Sequence, residues 1–229
     1  MAFYAISDLH LSHCVPKPMS KFGMHWDDHW NRIRQNWLET ISIDDVVLIP
    51  GDISWAMQLS EAQFDLDEIS ELPGIKIMIK GNHDYWWSSP SQIRLKLPSN
   101  MFIIQNDSIL VDNIVVCGTR GWLCPNDGNF SGQDQKIYQR ELQRLKLSLE
   151  SGKRWGKFDT IVMMHYPPFN DKKQVSGFTD LFKKYNICKV IYGHLHGESL
   201  KYAVNGVVDG INYDQVSCDN LQFQLKKII

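Results

Sequence analysis

The chain has 229 residues, enough for one large domain, and 43% of them are hydrophobic, so it can bury a sizeable core. Its 24 basic and 26 acidic side chains leave a formal charge of −2, which argues against a dedicated nucleic-acid coat or a membrane-surface protein. Five widely spaced cysteines without a C-x-x-C pair indicate reduced, mostly buried thiols. The first residues already have a strand pattern, so we expect a cytoplasmic protein without a secretion signal or membrane span.

Short apolar runs alternate with segments of helical periodicity along the chain. The apolar runs predict strands at 2–7, 45–50, 75–80, 101–105, 108–111, 114–118, 160–165, 188–193, 199–204 and 221–228. Helical spacing predicts helices near 28–42, 60–71, 89–96, 133–150 and 178–185. The pair Asp112-Asn113 between two apolar runs predicts a hairpin. This order favours βαβ units in one domain over residues 1–229, with a mixed sheet or two packed sheets and helices outside.

One long connection stands out between two of these strands. Residues 119–158 begin with the loop TRGWLCPNDGNFSGQ and continue into a charged helical segment. A structured insertion at a strand exit is often a lid or a binding loop. A surface helix that only decorates the fold fits the same residues, so both interpretations stay open.

Five apolar runs end in residues that can bind metal or transfer protons. The exits read D-L-H, G-D, G-N-H-D, H-Y-P and G-H-L-H, beginning at Asp8, Gly51, Gly81, His165 and Gly193. Ligands of α/β sheets bind beyond the carboxyl ends of the strands, so we expect these five exits to converge. Each motif alone is a weak signal, and G-D alone is an ordinary turn. The five together, each closing an apolar run, predict a site.

The residue types at these exits indicate a site for two metal ions. In an extended chain alternate side chains point the same way. The Asp and His of D-x-H, and the two His of G-H-x-H, are therefore each expected to present a pair of metal ligands on one side of the chain. Imidazole with carboxylate is a mixed donor set that suits Mn, Fe, Zn or Co, and no cysteine joins it, which disfavours a structural zinc site. The donors are too many for one ion, and two ions that share one bridging carboxylate fit their number.

In this order the motifs resemble the calcineurin-like metallophosphoesterase superfamily, over residues 8–196. The resemblance implies a four-layer α/β/β/α sandwich of two mixed sheets with flanking helices. It also implies two metal ions: Asp8, His10 and His196 hold one, Asn82, His165 and His194 hold the other, and Asp52 bridges them. His83 is implied as the catalytic histidine that protonates the leaving group, with Asp84 orienting its ring. A bridging hydroxide then attacks phosphorus in line.

The sequence says less about the identity of the substrate than about the type of reaction. Protein Ser/Thr phosphatases of the superfamily have an Arg shortly after G-D, and GDISWAM lacks it. A small bacterial-type phosphohydrolase is expected instead, acting on a small phosphomonoester or a phosphodiester such as a nucleotide or cyclic nucleotide. A nuclease, a protein Ser/Thr phosphatase and a non-catalytic scaffold of the same fold remain alternatives, the phosphatase being disfavoured by the missing Arg. Lysines at 172–173, 183–184 and 226–227 are too scattered to indicate a nucleic-acid groove.

Four features near the motifs are candidates for the substrate pocket. Arg120 either grips a phosphate in two-pronged fashion or is an ordinary surface Arg. Trp86 and Trp87 either stack on a ring or pack in the core, and the core is favoured. The irregular segment 13–30 exits beside Asp8 and is expected to wall the pocket. Its three histidines are expected to be polar surface groups rather than further ligands.

Overall fold

The computed structural model of the protein describes residues 1–14, 16–126 and 130–229. The described strands are β1 (Phe3–Ala5), β2 (Val46–Ile49), β3 (Ile75–Met78), β4 (Met101–Ile103), β5 (Ser108–Val111), β6 (Ile114–Thr119), β7 (Asp159–Met164), β8 (Lys189–Tyr192), β9 (Gly206–Val208), β10 (Ile211–Gln215) and β11 (Lys226–Lys227). The α-helices are α1 (His29–Thr40), α2 (Leu59–Ser70), α3 (Pro90–Arg94), α4 (Gly132–Lys153) and α5 (Gly177–Lys184).

The described strands form two mixed sheets, each with a parallel centre. The first sheet has the order β11-β1-β2-β3-β4, in which β1 to β4 are parallel and β11 is antiparallel. The second has the order β5-β6-β7-β8-β10-β9, in which, among these described strands, the edge strands β5 and β9 run antiparallel to their neighbours. The helices α1, α2, α4 and α5 connect consecutive parallel strands, as in βαβ units. The carboxyl ends of the parallel strands therefore lie at one edge of each sheet.

Three apolar layers hold the sheets and helices together. Alternate residues of β2 show the arrangement: Val47 and Ile49 pack with residues of α1 and α2, whereas Val46 and Leu48 pack between the two sheets. A third cluster joins the outer face of the second sheet to α4 and α5. Because both faces of each central strand are covered, these strands are continuous apolar runs. The predicted four-layer α/β/β/α sandwich is confirmed.

Turn and cap residues set several element boundaries. Asp112 and Asn113 both have positive φ, 45° and 63°, which is what a two-residue hairpin turn requires, so the predicted hairpin between β5 and β6 is confirmed. Helix α4 begins after Ser131, whose hydroxyl accepts from Asp134 N at 3.1 Å. The Asp134 carboxylate in turn accepts from Ser131 N at 3.0 Å, which completes a capping box.

The strand predictions fail mainly after β8. The predicted strand 199–204 is wrong, because Gly197–Tyr202 forms a 3₁₀ helix that Ser199 caps: its hydroxyl accepts from His196 N at 2.8 Å. The predicted strand 221–228 is paired only at β11 among the described residues, because Gln222 and Phe223 have positive φ and turn the chain. The apolar-run pattern does not predict β9, which has only the three residues GVV, or β10, whose sequence INYDQ contains polar side chains.

The connection 119–158 contains an ordinary crossover helix. Helix α4 buries Tyr138, Leu145 and Leu149 against the second sheet, and Ser148 Oγ accepts from Gly118 N of β6 at 2.9 Å. The helix is thus one of the flanking layers. A lid role for the loop before it stays a prediction, and residues 127–129 of that loop lie outside the described residues.

Two further expectations concern the cysteines and the membrane. All five cysteines are unpaired, and Cys117, Cys124 and Cys218 are buried. Among the described residues, no helix combines the length and the apolar character that crossing a bilayer would need.

Candidate metal centre

The predicted ligands come together where the strand exits of the two sheets meet. They are Asp8 and His10 after β1, Asp52 after β2, Asn82 after β3, His165 after β7, and His194 and His196 after β8. Hydrogen bonds join the two sheets at this point. His194 N donates to Asp8 Oδ2 at 3.1 Å, and His165 Nδ1 lies 3.0 Å from Pro50 O.

The first group of ligand atoms surrounds the Asp8 carboxylate. One ligand atom each from Asp8, His10 and His196 lies within 4.8 Å of the other two. His196 Nε2 is 3.2 Å from Asp8 Oδ1, yet this nitrogen is buried and makes no hydrogen bond in the described structure. These are the three residues that the sequence motifs assign to one metal ion.

The second group surrounds His165 Nε2. Asn82 Oδ1 lies 2.7 Å, His194 Nδ1 3.3 Å and Asp52 Oδ2 3.4 Å from this nitrogen. Asp52 Oδ2 is also 3.8 Å from His10 Nε2, so it contacts both groups. Asp8 is shared as well, since one atom each from Asp8, Asp52 and His165 lies within 4.8 Å of the other two.

The protonation of His165 makes this arrangement a good fit for a cation. Pro50 O can only accept, so His165 Nδ1 carries the ring proton and His165 Nε2 presents a lone pair in the neutral ring. Asn82 Oδ1 and Asp52 Oδ2 also point electron pairs into the space next to His165 Nε2. Such atoms repel one another unless a positive charge lies between them, and the donor set is one that transition metals accept.

The pKa shifts of Asp52, His165 and His194 also fit a bound cation. Burial, together with the charges of Asp8 and Asp84, raises the pKa of Asp52 well above its ordinary value. Burial lowers the pKa of His165 to about 4 and the pKa of His194 to about 3, so both imidazoles are neutral near pH 7. A neutral imidazole is the state that binds a metal ion, and a cation would relieve the repulsion among the carboxylates.

Four ligands adopt a backbone conformation that side-chain-bearing residues seldom use. The φ angles are 60° at Asp8, 48° at His10, 52° at Asp52 and 72° at His194. The expectation that the chain is extended at Asp8–His10 and at His194–His196 is therefore wrong, although Asp8 and His10 do lie together. Tight left-handed turns at the strand ends bring the side chains together instead, and such strain is concentrated at functional sites.

Residues 1–198 match the sequence profile of the calcineurin-like phosphoesterase family. The chain belongs to this family. It is accordingly a phosphohydrolase of a family that uses divalent metal ions, and the Asp and His groups described above are suited to bind them. A search of curated proteins finds no significant sequence match.

Three solved structures share the fold of this phosphoesterase. The phosphopantetheinyl hydrolase of Mycobacterium tuberculosis is 16% identical with a TM-score of 0.60, over 100% of this chain and 95% of that one. Protein TT1561 of Thermus thermophilus is 14% identical with a TM-score of 0.51, over 85% and 81%. A protein of unknown function from Aquifex aeolicus is 15% identical with a TM-score of 0.50, over 99% and 95%. At such identities the similarity establishes the fold alone.

Asp84 has a different position from the one the motifs predict for it. It is expected to orient the His83 ring, but its carboxylate accepts from Gly81 N at 2.7 Å, Ile53 N at 2.8 Å and Asp52 N at 2.9 Å. His83 Nδ1 is buried and has no hydrogen-bond partner among the described residues. The expectation is corrected accordingly: Asp84 joins the loops after β2 and β3 and thereby positions Asp52, while His83 N donates to Asp52 Oδ1 at 2.8 Å.

Arg120 is engaged away from the metal centre. Its guanidinium lies 3.3 Å from Glu141 Oε1, a fully buried carboxylate of α4, and 4.7 Å from the centre of the Trp122 ring. The backbone carbonyl of Arg120 supports the site, since it accepts from His165 N at 3.1 Å. These contacts make the partly buried Arg120 a partner of Glu141, and a phosphate grip by Arg120 stays a prediction.

A carboxylate that the sequence did not reveal supports His196. Its ring nitrogen Nδ1 donates to Asp219 Oδ1 at 2.8 Å, and Gly197 N donates to Asp219 Oδ2 at 3.1 Å. Burial lowers the pKa of His196, but the charges of Asp8 and Asp219 outweigh burial and raise it to about 10. Asp219 follows β10, so it belongs to a sixth polar strand exit. If β10 had been predicted from the sequence, Asp219 would have been recognised as a candidate site residue.

Two cavities border the metal centre. One of about 250 Å³ is lined by His10, Met19, Phe22, His25, Trp26, Trp55, His83, His196 and Gly197. The other, of about 300 Å³, contains His194 and the ring of Tyr166 in a wall that is mostly apolar. The segment 13–30 therefore walls one cavity, as expected. Trp86 and Trp87 lie in the core, where Trp86 Nε1 donates to Asp84 Oδ1 at 3.0 Å.

Proposed function

We propose that this phosphoesterase binds two transition-metal ions, from among Mn, Fe, Zn and Co, and hydrolyses a small phosphomonoester or phosphodiester, with a nucleotide or cyclic nucleotide as examples. One ion would be held by Asp8, His10 and His196 and the other by Asn82, His165 and His194, with Asp52, which contacts residues of both groups, shared between them. The observation that carries the proposal is the meeting of unshared electron pairs around His165 Nε2. Since the five thiols are unpaired, we place the enzyme in the cytoplasm.

The ions would supply charge stabilisation and a nucleophilic water of lowered pKa. The chain supplies the geometry. Asp84 fixes the loops that carry Asp52 and Asn82, because its carboxylate binds backbone N–H groups of both loops. His83 lies in the wall of the cavity beside His10 and His196, with an unpartnered ring nitrogen among the described residues, and we assign it the protonation of the departing oxygen.

Three alternatives fit the geometry less well. A scaffold would have no need of the complete set of ligands. A protein Ser/Thr phosphatase would need the phosphate-binding Arg after G-D, which this chain lacks. A nuclease would need a basic groove, and neither cavity has a lysine or arginine among its described lining residues.

The test is a hydrolysis panel on protein stripped by a chelator and reloaded with each of the four metals. The panel contains aryl monoesters, aryl diesters, cyclic nucleotides, single-stranded DNA and, because one structural neighbour is a phosphopantetheinyl hydrolase, a phosphopantetheinyl ester. Metal-dependent turnover of a small ester is expected. Bound metal without turnover of any ester would favour the scaffold, and a strong preference for DNA would favour the nuclease.

A further inference from the structure

We infer that the substrate is a phosphodiester with an apolar or aromatic group on each side of phosphorus, one group in each of the two cavities. This inference rests on the proposed function and decides between the two kinds of ester. The cavity of about 250 Å³ is called the His83 cavity, and the cavity of about 300 Å³ the His194 cavity. The two share no lining residue among those the structure describes.

The cavities meet the metal centre at different halves. The His83 cavity is bordered by His10 and His196, which belong to the group around Asp8. The His194 cavity is bordered by His194, which lies 3.3 Å from His165 Nε2 in the other group. A phosphorus atom held between the groups would therefore have a separate cavity for each of two ester arms. A monoester would leave one of them without an occupant.

The walls indicate the chemistry of the arms. In the His83 cavity the Trp55 ring stacks on His10, with ring centroids 4.8 Å apart, and lies 4.4 Å from the His83 ring. Met19, Phe22 and Trp26 complete this apolar wall. Aromatic walls favour planar or apolar groups.

The His194 cavity has an aromatic wall of its own. The Tyr166 ring lies 4.0 Å from the His194 ring and 5.0 Å from the Trp122 ring. Phe130, Phe169 and Tyr202 also line this cavity. The proposed metal ligand His194 therefore lies next to an apolar surface that can hold the second ester arm.

The charges favour a diester over a monoester. A monoester carries up to two negative charges near neutral pH and a diester carries one. Among the described residues no lysine or arginine lines either cavity, and Arg120 is paired with Glu141. Lys17, whose Nζ lies 4.7 Å from the Trp55 ring centre, is a cation beside the His83 cavity. A single extra cation suits a substrate of low charge.

The position of His83 assigns the arms. Water loses a proton to solvent and forms a bond to phosphorus, the bond to the leaving oxygen breaks, and that oxygen keeps the electron pair and takes up a proton from His83. The products are a phosphomonoester and an alcohol or phenol. Because His83 borders one cavity only, the leaving group occupies the His83 cavity and the retained arm the His194 cavity.

The test uses substrates that share the leaving group and differ in the retained arm: p-nitrophenyl phosphate, methyl p-nitrophenyl phosphate and phenyl p-nitrophenyl phosphate. We expect kcat/KM to rise from the monoester to the methyl diester, and about tenfold or more from methyl to phenyl, as burial of an apolar ring predicts. Trp122→Leu should reduce the phenyl-to-methyl ratio severalfold. Tyr202→Ala, at a partly exposed position where folding is at less risk, should reduce it too.

The matched control is Trp155→Leu, since Trp155 is a half-exposed tryptophan outside both cavities. It should leave the phenyl-to-methyl ratio unchanged. A monoester that is turned over faster than both diesters, or a phenyl-to-methyl ratio near one in the wild type, would overturn the inference while the proposed phosphoester hydrolysis stands. Failure to hydrolyse all three substrates with every metal would count against the proposed function itself.

Discussion

The Asp219 carboxylate lies 2.8 Å from Nδ1 of His196, on the side of the ring opposite the nitrogen that faces Asp8. A carboxylate in this position fixes which ring nitrogen carries the proton and makes the other nitrogen a better ligand. It also accepts from Gly197 N, so the turn after β8 is held to the turn after β10. Two segments that are distant in sequence thus define one ligand.

Asp219→Asn should weaken metal binding at the site of Asp8, His10 and His196 by about 10–100-fold. The amide can still occupy the space but loses the charge that favours the ring orientation. Calorimetric titration with metal measures the loss of affinity, and excess metal should restore activity. Asp209→Asn is the control, because Asp209 is an exposed carboxylate paired with Lys183. Unchanged affinity in Asp219→Asn would show that the hydrogen bond only stabilises the turn.

Asp52→Ala should disturb both metal sites, because Asp52 Oδ2 contacts His10 Nε2 and His165 Nε2. Elemental analysis of the wild type after reconstitution should give close to two transition-metal ions per chain, and the variant should lose most of both. A chelator should lower the melting temperature of the loaded wild type, since metal bound only by the folded state adds to its stability. Asp107→Asn removes an exposed carboxylate outside the site and should retain both ions. A wild type that binds no metal after reconstitution would end the two-metal proposal.

Gly81 has no room for a side chain beside the centre. A Cβ at this position would overlap Asp52 Oδ1 and the backbone nitrogen of Asp52. Gly81→Ala should therefore destabilise the fold by about 1–3 kcal/mol and lower metal content, because the loop must shift away from Asp52. Chemical denaturation and elemental analysis measure the two effects. Gly132→Ala is the matched control: its Cβ would meet no atom within 4 Å, so stability should hold or rise slightly. Equal stability of the two variants would contradict the close approach seen here.

Lys76 gives a prediction about stability and pH. Burial lowers its pKa from 10.5 to about 8, so the folded chain releases this proton at a lower pH than the unfolded chain. The unfolded state binds more protons between about pH 8 and 10.5, and stability should therefore rise with pH across this window. Below pH 8 the cost of the buried charge is fully present. Metal-free wild type and Lys76→Met are compared by urea denaturation at about pH 7 and about pH 9.5, and the wild type should gain more stability over this interval than the variant. Lys136→Met, at an exposed position, should keep it.

Much of the fold could be predicted because strands covered on both faces, such as Val46–Ile49, are continuous apolar runs. β10 could not be predicted in this way, since its sequence INYDQ contains polar side chains that bond to neighbours. Asp214, for example, pairs with Lys189 and Lys226. The metal ligands could be predicted from the sequence because the residues that can bind metal directly follow the apolar runs of the strands. Partners such as Asp219 and the five N–H donors around Asp84 depend on how turns fold, which short-range sequence patterns do not encode.

His83 provides the sharpest test of mechanism, because a proton donor matters in proportion to how poor the leaving group is. p-Nitrophenolate is stable as an anion near neutral pH and needs little help, whereas an alkoxide needs a proton. His83→Ala should therefore lose about 10²–10⁴-fold in rate on an alkyl or nucleotide ester and clearly less on a p-nitrophenyl ester. His83→Gln keeps a hydrogen-bond donor without an acidic ring proton, and it should show the same dependence on the leaving group. Initial rates at saturating metal measure both.

The metal content of His83→Ala separates the remaining interpretations. Its backbone N–H to Asp52 Oδ1 does not depend on the side chain, so two ions should be retained. If metal is lost, His83 is a ligand rather than the proton donor. If metal is retained but the rate falls equally on both esters, the ring stabilises charge or anchors the substrate next to Trp55, whose ring centre is 4.4 Å away. Only a loss of rate that grows with the basicity of the leaving oxygen identifies His83 as the proton donor.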